Sequence, residues 1–156
     1  MPAPSQGLFL DHVISLSFDL PETLVHVSYL RKKARSILAS LDVARADIDD
    51  IETVIGELAT NAVRHAKGGR YRVVVELSEN CCVVTVIDNG PGFVPSAVAK
   101  PGTSRPDSFD ASADDRIGGF GLPLVRSLAD QVDITRNHRP AQGMTIRASI
   151  PLRAKV

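Results

Sequence analysis

Glu57, Asn61 and His65 recur every four residues in the stretch GELATNAVRHA. In a helix that spacing puts all three on one stripe. Ile51, Val54, Ile55, Leu58 and Ala62 occupy the neighbouring face, so the polar stripe borders an apolar one. A solvated surface stripe has the same pattern, and Glu-x-x-x-Asn alone is commonplace. A second group, Asp88-Asn89-Gly90-Pro91-Gly92, follows an apolar strand directly. It reads as an ordinary turn. It reads equally as a strand-end carboxylate that takes a hydrogen bond from an amino group such as that of adenine, with glycines letting a ligand approach the backbone. A third, Gly118-Gly119-Phe120-Gly121-Leu122, stands at a loop-to-helix junction. Free N–H groups and the helix dipole favour an anion there, and a hinge is the plainer reading. It is neither a Walker A loop, lacking Gly-Lys-Ser/Thr, nor a Rossmann fingerprint, lacking the third glycine and a preceding strand. Gly143-Met144-Thr145 leads into the last strand.

These groups need elements to hold them. Residues 13–19 alternate apolar and polar, as a strand does. Pro21, Glu22 and Thr23 open a helix expected over 22–40, with Leu30, Ala34, Ile37, Leu38 and Leu41 at helical spacing. Arg31, Lys32, Lys33 and Arg35 fall largely on its outer side, either a solvated face or a contact for a partner or phosphate. Asp47 or Asp49 caps a second helix expected over 48–66, ending before Gly68-Gly69. Strands follow at Tyr71–Leu77 and Cys82–Ile87, joined by a short turn at Ser78, Glu79 and Asn80. Residues 89–118, rich in Pro, Gly, Ser and Asp, form a loop too long for a plain connection. A helix over Leu122–Asp130, with Pro123 in its first turn, precedes strands at Val132–Arg136 and Met144–Ile150. Hairpin strands interspersed with helices indicate an α/β two-layer sandwich, its sheet mixed or antiparallel and its helices on one face.

Bulk properties set limits. The 156 residues fit one domain. Eighteen basic and eighteen acidic side chains balance, which speaks against a general nucleic-acid or anionic-membrane binder. No apolar run reaches membrane-spanning length, and the N-terminal stretch has no secretory pattern, so the cytosol is the expected compartment. Cys81 and Cys82 are adjacent and point to opposite faces of a strand, which makes them free thiols.

Taken together and in this order, the four groups resemble the Bergerat-type ATP-binding fold of the GHKL superfamily. The resemblance runs from about Ile51 to Ile150. The form Glu-Leu-x-Thr-Asn-Ala-x-x-His is similar to the anti-sigma-factor serine kinases, and the N-terminal strand and helix match that group as well. The resemblance implies that Glu57 is the general base and that Asn61 holds Mg²⁺ between the phosphates. Both residue types suit those roles, since a carboxylate accepts a hydroxyl proton and an amide carbonyl is a hard ligand. It assigns the adenine amino group to Asp88 and the adenine pocket to Gly90 and Gly92. Gly119, Phe120, Gly121 and Leu122 belong to the phosphate wrap, and the Thr145 hydroxyl closes the adenine side. His65 is either a ligand contact or a helix-end histidine.

The long loop, approximately 92–118, becomes an ATP lid whose closure excludes water. Lys100, Arg105 and Arg116 are its cations, one of which meets the γ-phosphate. Arg116 is the nearest match to the family's arginine, one residue farther from the Gly-x-Gly pair than usual. By this resemblance the protein is an ATP- and Mg²⁺-dependent serine/threonine kinase and anti-sigma factor. It acts as a homodimer on a STAS-type antagonist and a sigma factor. The alternatives are an ATP-binding regulatory module without phosphotransfer, and the detached ATP-binding domain of a histidine-kinase-like system.

Overall fold

The computed structural model describes residues 13–65, 69–88, 121–136 and 143–153. β1 (Ile14–Pro21) leads into α1 (Leu24–Ser40) and α2 (Arg45–His65). β2 (Arg70–Leu77) and β3 (Cys81–Asp88) form a hairpin, and α3 (Gly121–Leu128), β4 (Gln131–Arg136) and β5 (Met144–Pro151) complete the described elements. The five strands make one sheet in the order β1-β2-β3-β5-β4, with every pair antiparallel. The expected two-layer sandwich is therefore present, and its sheet is antiparallel throughout rather than mixed.

Strand alternation decides which side chains meet the helices. Tyr71, Val73, Val75 and Leu77 of β2 are buried, as are Cys82, Val84, Val86 and Asp88 of β3. Met144, Ile146, Ala148 and Ile150 of β5 continue the same layer. α2 lies across β2, β3 and β5 and also packs against α1 and α3. Two-sided packing explains why Ile48, Ile51, Val54, Ile55, Leu58, Ala59 and Ala62 are all buried. α1 contributes a narrower stripe of Val27, Leu30, Ala34 and Leu38. Cys82 sits in the core, where burial pushes its thiol up to about 12, and no disulfide joins it to half-buried Cys81.

Two helix starts differ from expectation. α1 begins at Leu24 because Pro21 still pairs with Arg70 in the sheet. Glu22 continues that junction: its N–H donates to the Gly69 carbonyl at 3.0 Å, and its Oε1 accepts the Gly69 N–H at 2.9 Å. Gly69 has φ +101°, a left-handed conformation that glycine adopts without penalty. α2 begins at Arg45, earlier than the acidic cluster suggests, so Asp47 and Asp49 lie inside the helix and do not cap it. Asp47 is only 2% exposed. Its Oδ2 accepts the Arg153 backbone N–H at 3.1 Å and its Oδ1 pairs with the Arg153 guanidinium.

The basic cluster on α1 also divides. Arg35 faces α2, where it pairs with Asp49 and, at 3.0 Å, with Glu52. Arg31 reaches the same Glu52 at 3.5 Å. Lys32 and Lys33 are exposed. Two of the four cations thus join the helices to each other while remaining partly in solvent.

Candidate functional site

The second half of α2, the end of β3, the start of β5 and the first turn of α3 converge at one end of the sheet. β3 delivers Asp88 as its last residue, and alternation turns its side chain inward beneath α2. Asp88 is 6% exposed. Its Oδ1 accepts the Met144 backbone N–H at 3.2 Å, fastening β3 to the start of β5. A carboxylate offers about four lone-pair sites and can accept several hydrogen bonds at once, a ligand's amino group among them.

Glu57 and Asn61 stand one turn apart on α2, both partly buried. They belong to the edge of the helix between the core face and solvent, as the stripe in the sequence indicates. Burial raises the Glu57 pKa above the ordinary carboxylate value, while the positive charges of Arg31 and then Arg64 work in the opposite direction. Among the described residues no ion pair engages this carboxylate.

α3 starts against Glu57. A Cβ added to Gly121 would lie 3.5 Å from the Glu57 Oε1. The first N–H groups of a helix have no intrahelical partner, and the dipole makes that end positive. Gly121 and Leu122 are both buried. The Leu122 side chain belongs to the core, so a bound phosphate could meet only its backbone.

Thr145 departs from expectation. Asp88, Met144 and Ile146 are buried on the helix side of the sheet, whereas Thr145, registered with Ile87, is turned to the opposite face. The residue beside Asp88 is Met144, through its backbone. Register across the β3–β5 pair decides this, and register is not visible in the Gly-Met-Thr sequence alone. His65 is the last residue of α2. Gly90, Gly92, Lys100, Arg105, Arg116, Gly119, Phe120 and the expected lid lie outside the described residues, as does the turn around Pro140.

Sequence reasoning also passed over Gly56. It is buried within α2, where glycine costs about 1 kcal/mol against alanine. A Cβ there would stand 3.0 Å from Cδ and 3.2 Å from Nε of Arg31. An interior helical glycine immediately before a candidate base was the available signal.

The donor set fits a nucleotide with Mg²⁺. Asn61 offers one hard oxygen, a number suited to a cation whose other ligands are phosphate oxygens and water. Gly121 keeps side-chain bulk away from the start of α3, and Asp88 provides a buried acceptor at the strand end.

The chain as a whole is similar to known proteins. The family model described as "Histidine kinase-like ATPase domain" matches residues 20–150. The chain is 31% identical to an anti-sigma F factor of Pasteuria penetrans, covering 81% of this chain and 83% of that one. It is 27% identical to the anti-sigma F factor of Bacillus subtilis, covering 77% and 80%. A serine-protein kinase RsbW of Staphylococcus aureus is 28% identical, with 81% and 82% covered. The crystal structure of the RsbU and RsbW domains of Rv1364c from Mycobacterium tuberculosis shares the fold, with a TM-score of 0.62 and 21% identity. That match covers 91% of this chain and 34% of the solved one.

Proposed function

Because the chain belongs to the histidine kinase-like ATPase domain family, and within it to the anti-sigma-factor serine kinases, we propose that it is an ATP-dependent protein serine/threonine kinase that also restrains a sigma factor. Its acceptor is a STAS-type antagonist, and the working form is a homodimer in the cytoplasm. The observation that carries this reading is the placement of Glu57: partly desolvated, outside any described ion pair, and set against the first residue of α3.

Phosphoryl transfer depends mainly on positioning and charge stabilisation. Asp88 takes the adenine amino group and so fixes the base relative to α2. The start of α3 receives the phosphates through backbone N–H groups. Asn61 is the residue that would hold Mg²⁺, which when bound neutralises phosphate charge. Glu57 accepts the proton of the attacking serine hydroxyl. The serine oxygen forms its bond to the γ-phosphorus as the bond from that phosphorus to the bridging oxygen of ADP breaks. ADP leaves and the proton remains on Glu57. Partial burial suits this task, because a carboxylate that is harder to ionise is a stronger base.

The test is incubation of the purified protein with Mg²⁺, γ-labelled ATP and lysate of the source cells, beside Glu57→Ala. We expect a small phosphoprotein labelled by the wild type alone, with ATP binding retained by the variant. Labelling by both proteins would remove Glu57 from its role. Labelling by neither, with nucleotide binding intact, would identify an ATP-gated binding module.

A further inference from the structure

β1 and β4 are the two outer strands of the sheet, and their sequences differ. β4 has six residues and carries Asp133 and Arg136. A short, charged strand is a common way to blunt a sheet edge. β1 has eight residues, ISLSFDLP, with one charge at Asp19 and no lysine or arginine. Among the described residues it has a strand neighbour on one side only. The Glu22 N–H donates to the Gly69 carbonyl, and the register runs on from there as Leu20↔Tyr71, Phe18↔Val73 and Leu16↔Val75. Antiparallel pairing alternates, so these residues spend their backbone groups on β2, while Ser15, Ser17 and Asp19 turn theirs outward. Two details agree with this phase. Pro21, which has no N–H to offer, falls in the outward set. The Asp19 carbonyl, in the same set, accepts the Arg70 guanidinium at 2.8 Å and keeps a second lone pair. Apolar side chains are also exposed along this edge. Among the described residues the exposed large ones are Val13, Ile14, Leu24, Val25 and Tyr29. All lie on β1, just before it, or in the first two turns of α1, the helix that contacts β1.

We propose that β1 is the contact between two copies of the chain, paired antiparallel edge to edge about a two-fold axis at Ser17, so that the two sheets become one. The proposal rests on the homodimer stated above and names its interface. The strand is self-complementary about Ser17. Ile14 meets Leu20 of the second copy and Leu16 meets Phe18, apolar against apolar on the helix side. Leu16 and Phe18 are only partly buried within one copy, and pairing covers them further. Ser15 meets Asp19 of the second copy on the open side, so the two Asp19 carboxylates do not face each other. The outward backbone groups of Ser15, Ser17 and Asp19 find partners in their counterparts. Each contact occurs twice, which closes the assembly at two copies. The same axis sets the two α1 helices on neighbouring sides of the seam.

Sedimentation velocity on the full chain tests this, and the wild type is expected to be dimeric. Ser17→Pro removes the N–H that each copy offers at the axis and leaves the β1–β2 ladder its donors. It should weaken the dimer by about thirtyfold. Ser17→Lys places like charges opposite each other at the axis and should also yield monomer, with circular dichroism unchanged. It keeps the test open if the proline disturbs folding. Ser17→Cys should give a disulfide-linked dimer on mild oxidation, beyond the wild-type level on a non-reducing gel. Ser15→Cys, which faces Asp19, should not. A folded Ser17→Lys as dimeric as wild type overturns the pairing and leaves the homodimer standing. So does a dimeric Ser17→Cys that never links. A wild type that is monomeric at every concentration overturns the homodimer itself and this contact with it, and β1 would then be an open edge for an extended segment of another protein.

Discussion

The two halves of α2 treat their acids differently. In the first half Asp47 and Asp50 bind Arg153, Asp49 pairs with Arg35, and Glu52 is shared by Arg31 and Arg35. In the second half Glu57 is partly desolvated and joins none of those pairs. Each paired acid spends its oxygens on holding α2 to α1 or to the chain after β5. An unpaired, partly buried carboxylate gains nothing for the fold, which is the condition that the role proposed for Glu57 requires. Along one helix, the paired acids and the proposed base therefore differ in their partners rather than in residue type.

Substitutions can break this contrast. The largest stability effect is expected next door to Glu57. Leu58 is 1% exposed. Leu58→Ala should cost about 2–5 kcal/mol of unfolding free energy, read from denaturant midpoints. A loss of that size in Glu57→Ala instead would make Glu57 a structural acid. Next is Asp88→Asn, expected to weaken ATP binding by about 1.5–3 kcal/mol in calorimetry. The amide oxygen can still accept the Met144 N–H. Unchanged affinity would reject the adenine contact.

The smallest effect sharpens the contrast. The folded-state pKa of Glu57 is raised, so the folded protein loses stability as pH rises from the unfolded value through the folded one. Glu57→Gln escapes that loss. It should melt slightly above wild type at neutral pH, and the gain should vanish in acid below the ordinary carboxylate range. A variant that melts lower than wild type at neutral pH would mean that ionised Glu57 stabilises the fold.

Much of this arrangement was legible in the chain itself. Period-two alternation marks β1, β2, β3 and β5, and the Glu57–Asn61 spacing marks the stripe on α2, because those patterns are local. What escaped depends on distant partners. Asp47 has the composition of a cap, and its buried role becomes visible only when Arg153 arrives from 106 residues away. Arg31 and Arg35 read as an outer face until α2 packs beside them with Asp49 and Glu52. The contact expected of Thr145 depends on the register of β5 against β3, which the Gly-Met-Thr pattern does not carry, and that pairing turns Thr145 to the face opposite Asp88. Gly56 was hidden by its neighbours' helical propensity; its meaning lies in the side chain that crosses it.

The bond from Met144 to Asp88 spans 56 residues of chain. Closing a loop of that length costs entropy before any contact rewards it. The α1–α2 pair and the β2–β3 hairpin are close in sequence and can form early during synthesis. Asp88, however, has no fastening to β5 until Met144 has left the ribosome. A nascent chain can therefore hold a well-formed helix bearing Glu57 and Asn61 and still lack a pocket for the nucleotide. Nucleotide binding should therefore appear only once β5 has paired with β3 and brought Met144 to Asp88.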